Sequence, residues 1–259
     1  MNRATNRRRW LQGAGAAMGG LWLAACDNLS RNSTFTGVLR VADKWTQGAQ
    51  RALTDRKALA REFAPADISP DFKANGTLRP QDPEYVAHLA NGFADYRLVV
   101  DGLVEQPLSL SLAEIRALPA RSQITRHDCV EGWSSIGQWR GATLAALLDR
   151  AKLKPQARYI VFWCFDTLDP NATDGAGRYY ESIDLLDAYH PQTILAYEMN
   201  GATLPVRHGY PLRLRVERQL GYKHAKYVTR IEAVDRLDHL GRGQGGFWPD
   251  RGYQWFAGI

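Results

Sequence analysis

Cysteine is scarce in this chain: three residues of 259, Cys26, Cys129 and Cys164. They form no haem or iron–sulfur motif such as C-x-x-C-H, so the sequence shows no such redox centre of its own. No G-x-G-x-x-G opens a helix, which argues against a dinucleotide-binding fold. There is no internal repeat and no low-complexity segment. The small, apolar stretch over residues 13–25 is too short to span a bilayer and is interrupted by glycine, which argues against a transmembrane helix. Excess charge is lacking as well. Much of the net +6 comes from Arg3, Arg7, Arg8 and Arg9; beyond residue 25 there are 29 basic against 27 acidic residues, a balance of +2. That balance gives no electrostatic reason to expect a nucleic acid partner.

What is present starts at the N-terminus. Arg7-Arg8-Arg9-Trp10-Leu11-Gln12 resembles a twin-arginine export signal, and Leu23-Ala24-Ala25-Cys26 resembles a lipoprotein signal-peptidase site. A plain secretory signal with a chance arginine run is the alternative. The resemblance implies a signal peptide over 1–25, lipidation at Cys26 and a lipid anchor on the periplasmic side of a bacterial inner membrane. Twin-arginine export carries folded proteins, usually because a cofactor is loaded before crossing.

Residues 26–44, rich in Ser, Asn and Thr, read as a tether. Leu53, Leu59 and Phe63 among charges give a helical lead-in over 45–64 that stops before Pro65. Residues 64–95 read as a long irregular stretch, of the kind that is functional or wraps a ligand. Strands are expected over 96–102, 123–129, 159–164, 212–216 and 227–234. Residues 130–139 read as a loop. Ser111 caps a helix over 111–118, with Glu114 completing a capping box. Leu144, Leu147 and Leu148 share one face of a helix over 143–151. Asn200-Gly201 between two apolar runs predicts a hairpin over 193–207. The sum is a strand-rich α+β single domain over 65–235, with a Gly- and Trp-rich tail over 236–259.

Two segments carry chemistry. In Arg126-His127-Asp128-Cys129-Val130-Glu131-Gly132-Trp133-Ser134 a lone cysteine stands at a strand end, with Arg126 and His127 as neighbours that favour a thiolate. A buried structural cysteine is the alternative. The second runs from Pro205 through His208-Gly209-Tyr210-Pro211-Leu212-Arg213-Leu214-Arg215-Val216 to Gly221-Tyr222-Lys223-His224-Ala225-Lys226. Its glycines admit close backbone approach, and Arg213, His224 and Lys226 supply donors for a phosphate and a polar heterocycle. Alternatively Arg213 and Arg215, two apart on a strand, form a solvated face. Arg215 is expected to point away from the pocket and to matter less than Arg213.

Together, D-C-V-E-G-W-S and H-G-Y-P-L-R-L-R-V…G-Y-K-H-A-K resemble the sulfite oxidase superfamily of molybdopterin enzymes, over about residues 65–235. The resemblance implies a molybdenum–molybdopterin cofactor. It implies Cys129 as the metal ligand through its thiolate, with a pterin and phosphate pocket at His208, Arg213, His224, Ala225 and Lys226. Phe72, Lys73, Ala74 and Asn75 fall where the family wraps the cofactor's other side, and Cys164 falls at a pterin-contacting position that is Thr in the methionine-sulfoxide-reductase branch. A Cys129–Cys164 disulfide, the default pairing in an oxidising compartment, is then disfavoured. Sulfite oxidases proper carry C-A-G-N-R-R and an added C-terminal domain. Val130-Glu131-Gly132-Trp133 and the short tail place this chain nearer the bacterial methionine-sulfoxide-reductase branch. The implied activity is two-electron oxygen-atom transfer on a sulfoxide-type substrate, with Glu131 as proton donor and a membrane cytochrome b as redox partner. The alternatives are a periplasmic sulfite dehydrogenase and a non-catalytic pterin-binding lipoprotein.

Overall fold

Strand alternation builds most of the domain. In the computed structural model, the described residues are 42, 45–53, 55–174 and 176–259. They belong to two units divided after Leu53. The expected export signal, Cys26 and all of the 26–44 tether except Ala42 lie outside the described residues. In the first unit, residues 45–53 are helical. Among the described residues no helix is long and apolar enough to cross a membrane.

The second unit holds β1 (Leu98–Gly102), β2 (Leu108–Leu110), β3 (Ala120–Asp128), β4 (Ser134–Thr143), β5 (Tyr159–Thr167), β6 (Arg178–Asp184), β7 (Ile194–Met199), β8 (Ala202–Thr203), β9 (Arg213–Arg215) and β10 (Val228–Val234). Helices α1 (Pro83–Ala90), α2 (Leu112–Arg116), α3 (Leu144–Ala151) and α4 (Leu185–Ala188) connect them. One sheet has the order β2-β1-β10-β5-β6; the other runs β3-β4-β7-β8, with β9 also paired to β7. The β1–β10 pair is parallel, and its neighbours are antiparallel. Both sheets feed one core. Leu98, Val100, Ile160, Phe162 and Ile231 come from the first, Ala142, Leu195 and Leu214 from the second, and Leu144, Leu147 and Leu148 from α3. Each fully buried Leu, Val, Ile or Phe among them contributes about 1.5–3 kcal/mol.

One strand departs from this apolar pattern. The inward positions of β3 are Gln123, Thr125 and His127, all buried and all polar. Polar groups buried this way need partners, and Arg215 of β9, Glu217 and Gln192 O supply them.

The helical expectation over 45–64 holds only to Leu53. Asp55 instead forms a turn, its carboxylate accepting from Lys57 N at 2.9 Å. Residues 58–63 then run along the second sheet, where Glu62 bridges Thr125 and Phe63 N donates to Ile124 O. The irregular 64–95 stretch contains α1, started by Pro83 and capped by Asp82, which accepts from Glu84 N and Tyr85 N. The expected loop over 130–139 is mostly strand, because β4 pairs with β3 from Ser134 onward. β8 is only two residues long, and the chain turns into a short 3-10 segment at Val206–His208.

Candidate cofactor site

The β3–β4 hairpin presents Cys129. Asp128 pairs with Ser134, so residues 129–133 form the connection. Cys129 N donates to Trp133 O, Gly132 N donates to Cys129 O, and Gly132 takes the positive φ (86°) that closes the turn. Cys129 is 7% exposed, and Asn75 Nδ2 approaches its sulfur at 3.9 Å. Burial pushes its thiol pKa up, against the pull of backbone and Asn75 hydrogen bonds. The expectation that Arg126 and His127 favour a thiolate fails on geometry. Arg126 pairs with Asp128 at 2.9 Å, and His127 turns inward to Arg215. A soft metal ion would have to drive the deprotonation itself.

Glu131 lies beside this turn with its side chain 59% exposed, accepting from Trp133 Nε1 at 2.9 Å and facing Lys73 Nζ at 3.8 Å. Lys73 also covers the Trp133 ring at 5.2 Å.

A strap crosses the same region. Ser69 bonds Ile136 through both its N–H and its Oγ. Phe72 then packs against Trp139, His208 and His127, with ring centroids 5.3, 5.5 and 5.7 Å away. Ala74 and Asn75 follow, both half-buried. Lys226 Nζ donates to the carbonyls of Asn75 and Thr77, and also to Arg207 O. So Lys226, expected as a phosphate ligand, points its ammonium at backbone carbonyls that hold the strap. Burial, and then Arg213, pull its pKa down.

The two arginines of β9 share one face, as a two-residue period requires, and Leu214 between them enters the core. Neither is solvated. Their guanidinium carbons lie 5.1 Å (Arg213) and 4.3 Å (Arg215) from the Trp139 ring centroid. The expected contrast in which way they point is therefore corrected, but they do differ in partners. Arg215 binds Glu217 through Nε (2.9 Å) and Nη2 (2.6 Å), and reaches His127 Nδ1 and Thr125 Oγ1. Arg213 reaches only His208 O, at 3.2 Å; its Nε has no hydrogen-bond partner, and no carboxylate pairs with it among the described residues. Burial and the neighbouring Arg215 charge bring its pKa down to about 9.

Other orphans gather around it. His127 Nε2, Trp139 Nε1, His208 Nδ1 and His224 Nδ1 are buried without hydrogen-bond partners among the described residues. Phe72 touches His127, Trp139 and His208, and His127 meets the His224 ring at 5.0 Å. Buried unsatisfied groups are rare in native proteins, and several together signal a ligand that satisfies them. Burial, then the Arg213 charge, holds His208 neutral, down to about 3. Ala225 contributes backbone, its carbonyl accepting from Leu214 N. Cys164 lies apart from this set in its polar contacts. Its thiol is fully buried in the core with Phe162 O at 3.9 Å. Cys129 and Cys164 are both free thiols.

The residues fit an anionic, heteroatom-rich group bound to a soft metal: an unpaired buried guanidinium, orphaned ring nitrogens and a thiol at a strand end. Sequence reasoning gave His127 a role beside Cys129 only and did not single out Trp139. The signal available was a histidine two residues before the cysteine, on the same strand face.

Comparisons with known proteins agree. The family model described as oxidoreductase molybdopterin binding domain matches residues 86–239. A provisionally named protein-methionine-sulfoxide reductase subunit, YedZ1 of Azospira oryzae, is 34% identical over 97% of this chain and 87% of its own. The protein-methionine-sulfoxide reductase catalytic subunit MsrP of Ralstonia nicotianae is 32% identical over 66% of this chain and 49% of its own, so this chain spans about half of that relative. Among solved structures, the sulfane dehydrogenase SoxCD from Paracoccus pantotrophus aligns with a TM-score of 0.47 and 24% identity, covering 55% of this chain and 39% of that one.

Proposed function

Because the chain belongs to the oxidoreductase molybdopterin binding domain family, whose members bind molybdopterin, we propose that it reduces a sulfoxide-type substrate outside the cytoplasm. The observation that carries the site assignment is Arg213, a buried guanidinium to which no carboxylate is supplied among the described residues. The names of the two relatives support the sulfoxide.

When bound, the molybdenum centre supplies two-electron oxygen-atom chemistry. The chain's own residues do the rest. Cys129 Sγ would hold the metal. Arg213 would bind the pterin's phosphate, with His208, His224 and Trp139 offering ring nitrogens to the remaining polar atoms. The strap of Phe72, Lys73, Ala74 and Asn75 would exclude water from one side. Reducing a sulfoxide to a sulfide and water consumes two electrons and two protons. Glu131, solvent-facing beside Cys129 and fixed by Trp133, would relay those protons through its carboxylate oxygens. The electrons would come from a membrane cytochrome b, since the sequence has no haem or iron–sulfur motif. The arginine pair and Cys26 support a lipid-anchored periplasmic address.

Paired assays test this reading: a sulfoxide with reduced viologen, and sulfite with a dye acceptor. Sulfoxide reduction with negligible sulfite oxidation is expected. The reverse would establish a sulfite dehydrogenase, and metal-loaded protein inactive in both would establish a non-catalytic binder.

A further inference from the structure

His127 has a fixed hydrogen-bonding role on its inner edge. Arg215 Nη1 lies 3.1 Å from His127 Nδ1, and a guanidinium only donates, so Nδ1 must accept. The neutral ring then carries its proton on Nε2. Arg215 is itself locked by two bonds to Glu217, with Thr125 Oγ1 at 3.4 Å, so the donor cannot easily turn away. Glu217 is fixed in turn by Gln123 Nε2 at 2.8 Å. The chain Gln123–Glu217–Arg215–His127 is wholly buried.

The outer edge is the reverse. His127 Nε2 is buried and has no hydrogen-bond partner among the described residues. The ring is wedged among Phe72, Trp133 and His224. A Cβ on Gly221 would come within 2.5 Å of its Cε1 and Nε2, so only glycine leaves room for that edge. His127 stands two residues from Cys129 on β3. Its ring meets the His224 ring, with centroids 5.0 Å apart.

On the cofactor reading above, we infer that His127 is a cofactor-binding residue: a neutral imidazole that donates from Nε2 to a polar atom of the bound pterin cofactor. Arg215 and Glu217 are positioning residues that set its tautomer. This explains the division of labour on β9, where Arg213 is left for the ligand and Arg215 is fully engaged by protein. It also explains the polar inward face of β3 as a support for one donor.

Two measurements test the inference. In apo protein with ¹⁵N-labelled histidine, the His127 ring should show a protonated Nε2 and a bare Nδ1, and Arg215→Lys should blur that preference. A protonated Nδ1 in the wild type would overturn the assignment without any variant. Separately, His127→Phe keeps the ring packing but removes the donor, and should lower cofactor affinity by about tenfold or more. It is read as pterin retained per folded chain after gel filtration. His127→Gln, whose amide can donate from a similar place, should recover part of the loss. Wild-type retention by a folded His127→Phe sinks the inference alone; a wild-type chain that holds no pterin at all sinks the cofactor reading beneath it.

Discussion

Arg213 and Arg215 show how much a single partner decides. Removing Arg215 leaves Glu217 buried without its cation, so Arg215→Ala should cost about 3–5 kcal/mol of folding stability. Arg213 has no such partner among the described residues, and its burial is a liability in the absence of ligand. Arg213→Met should leave the apo chain at least as stable as wild type in urea while abolishing pterin retention. A large loss of apo stability in that variant would contradict the reading. The histidines give a pH signature. His208 and His224 are held neutral by burial, so their folded pKa values lie below the ordinary 6.5. The stability they contribute is present above about pH 6.5 and is lost as pH falls towards the folded values, at most about 1.4 kcal/mol per pH unit for each. Apo wild type should therefore weaken faster between pH 7 and 5 than His208→Gln does; parallel urea midpoints would contradict this. The family resemblance implied a pocket role for Arg213. It did not show the contrast between the arginines, because Glu217 and His127 reach Arg215 from different elements.

At the scale of elements, local chemistry was legible and tertiary pairing was not. Ser111 and Glu114 cap α2 reciprocally, as their spacing predicts. Asn200 and Gly201 both take positive φ between paired Met199 and Ala202, as the hairpin requires. β6 was invisible because Glu181 interrupts its apolar pattern, and the buried Glu181 is paired with Lys223, 42 residues away. The lead-in over 55–63 misled because its edge pairing with Ile124 and Thr125 outweighs helical spacing. The strap is another such element, fixed by distant residues. Lys226 satisfies two of its carbonyls, so Lys226→Met should raise hydrogen exchange across 72–77 while the β5–β10 ladder stays protected. Unchanged exchange in the strap would show that Phe72 packing suffices to hold it.

At the scale of the whole molecule, the tail closes the domain rather than trailing from it. Gly246 bridges Glu181, Phe247 enters the core, and Ile259 N reaches Arg218 O. The proposed address acts through segments outside this domain. Replacing Arg7 and Arg8 by lysines should block export, whereas Cys26→Ala should spare export and release the protein from membranes. Cell fractionation distinguishes the two, and a Cys26→Ala protein that resists a salt wash would contradict lipidation. The central claim is that Cys129 and the Arg213 pocket together hold a molybdenum–molybdopterin group. Quantifying molybdenum and pterin in purified wild type and Cys129→Ser tests it most directly. The account predicts about one of each per wild-type chain, and loss of molybdenum in Cys129→Ser because a hydroxyl poorly replaces a soft thiolate. Molybdenum-free wild type, or full molybdenum and activity in Cys129→Ser, would contradict it.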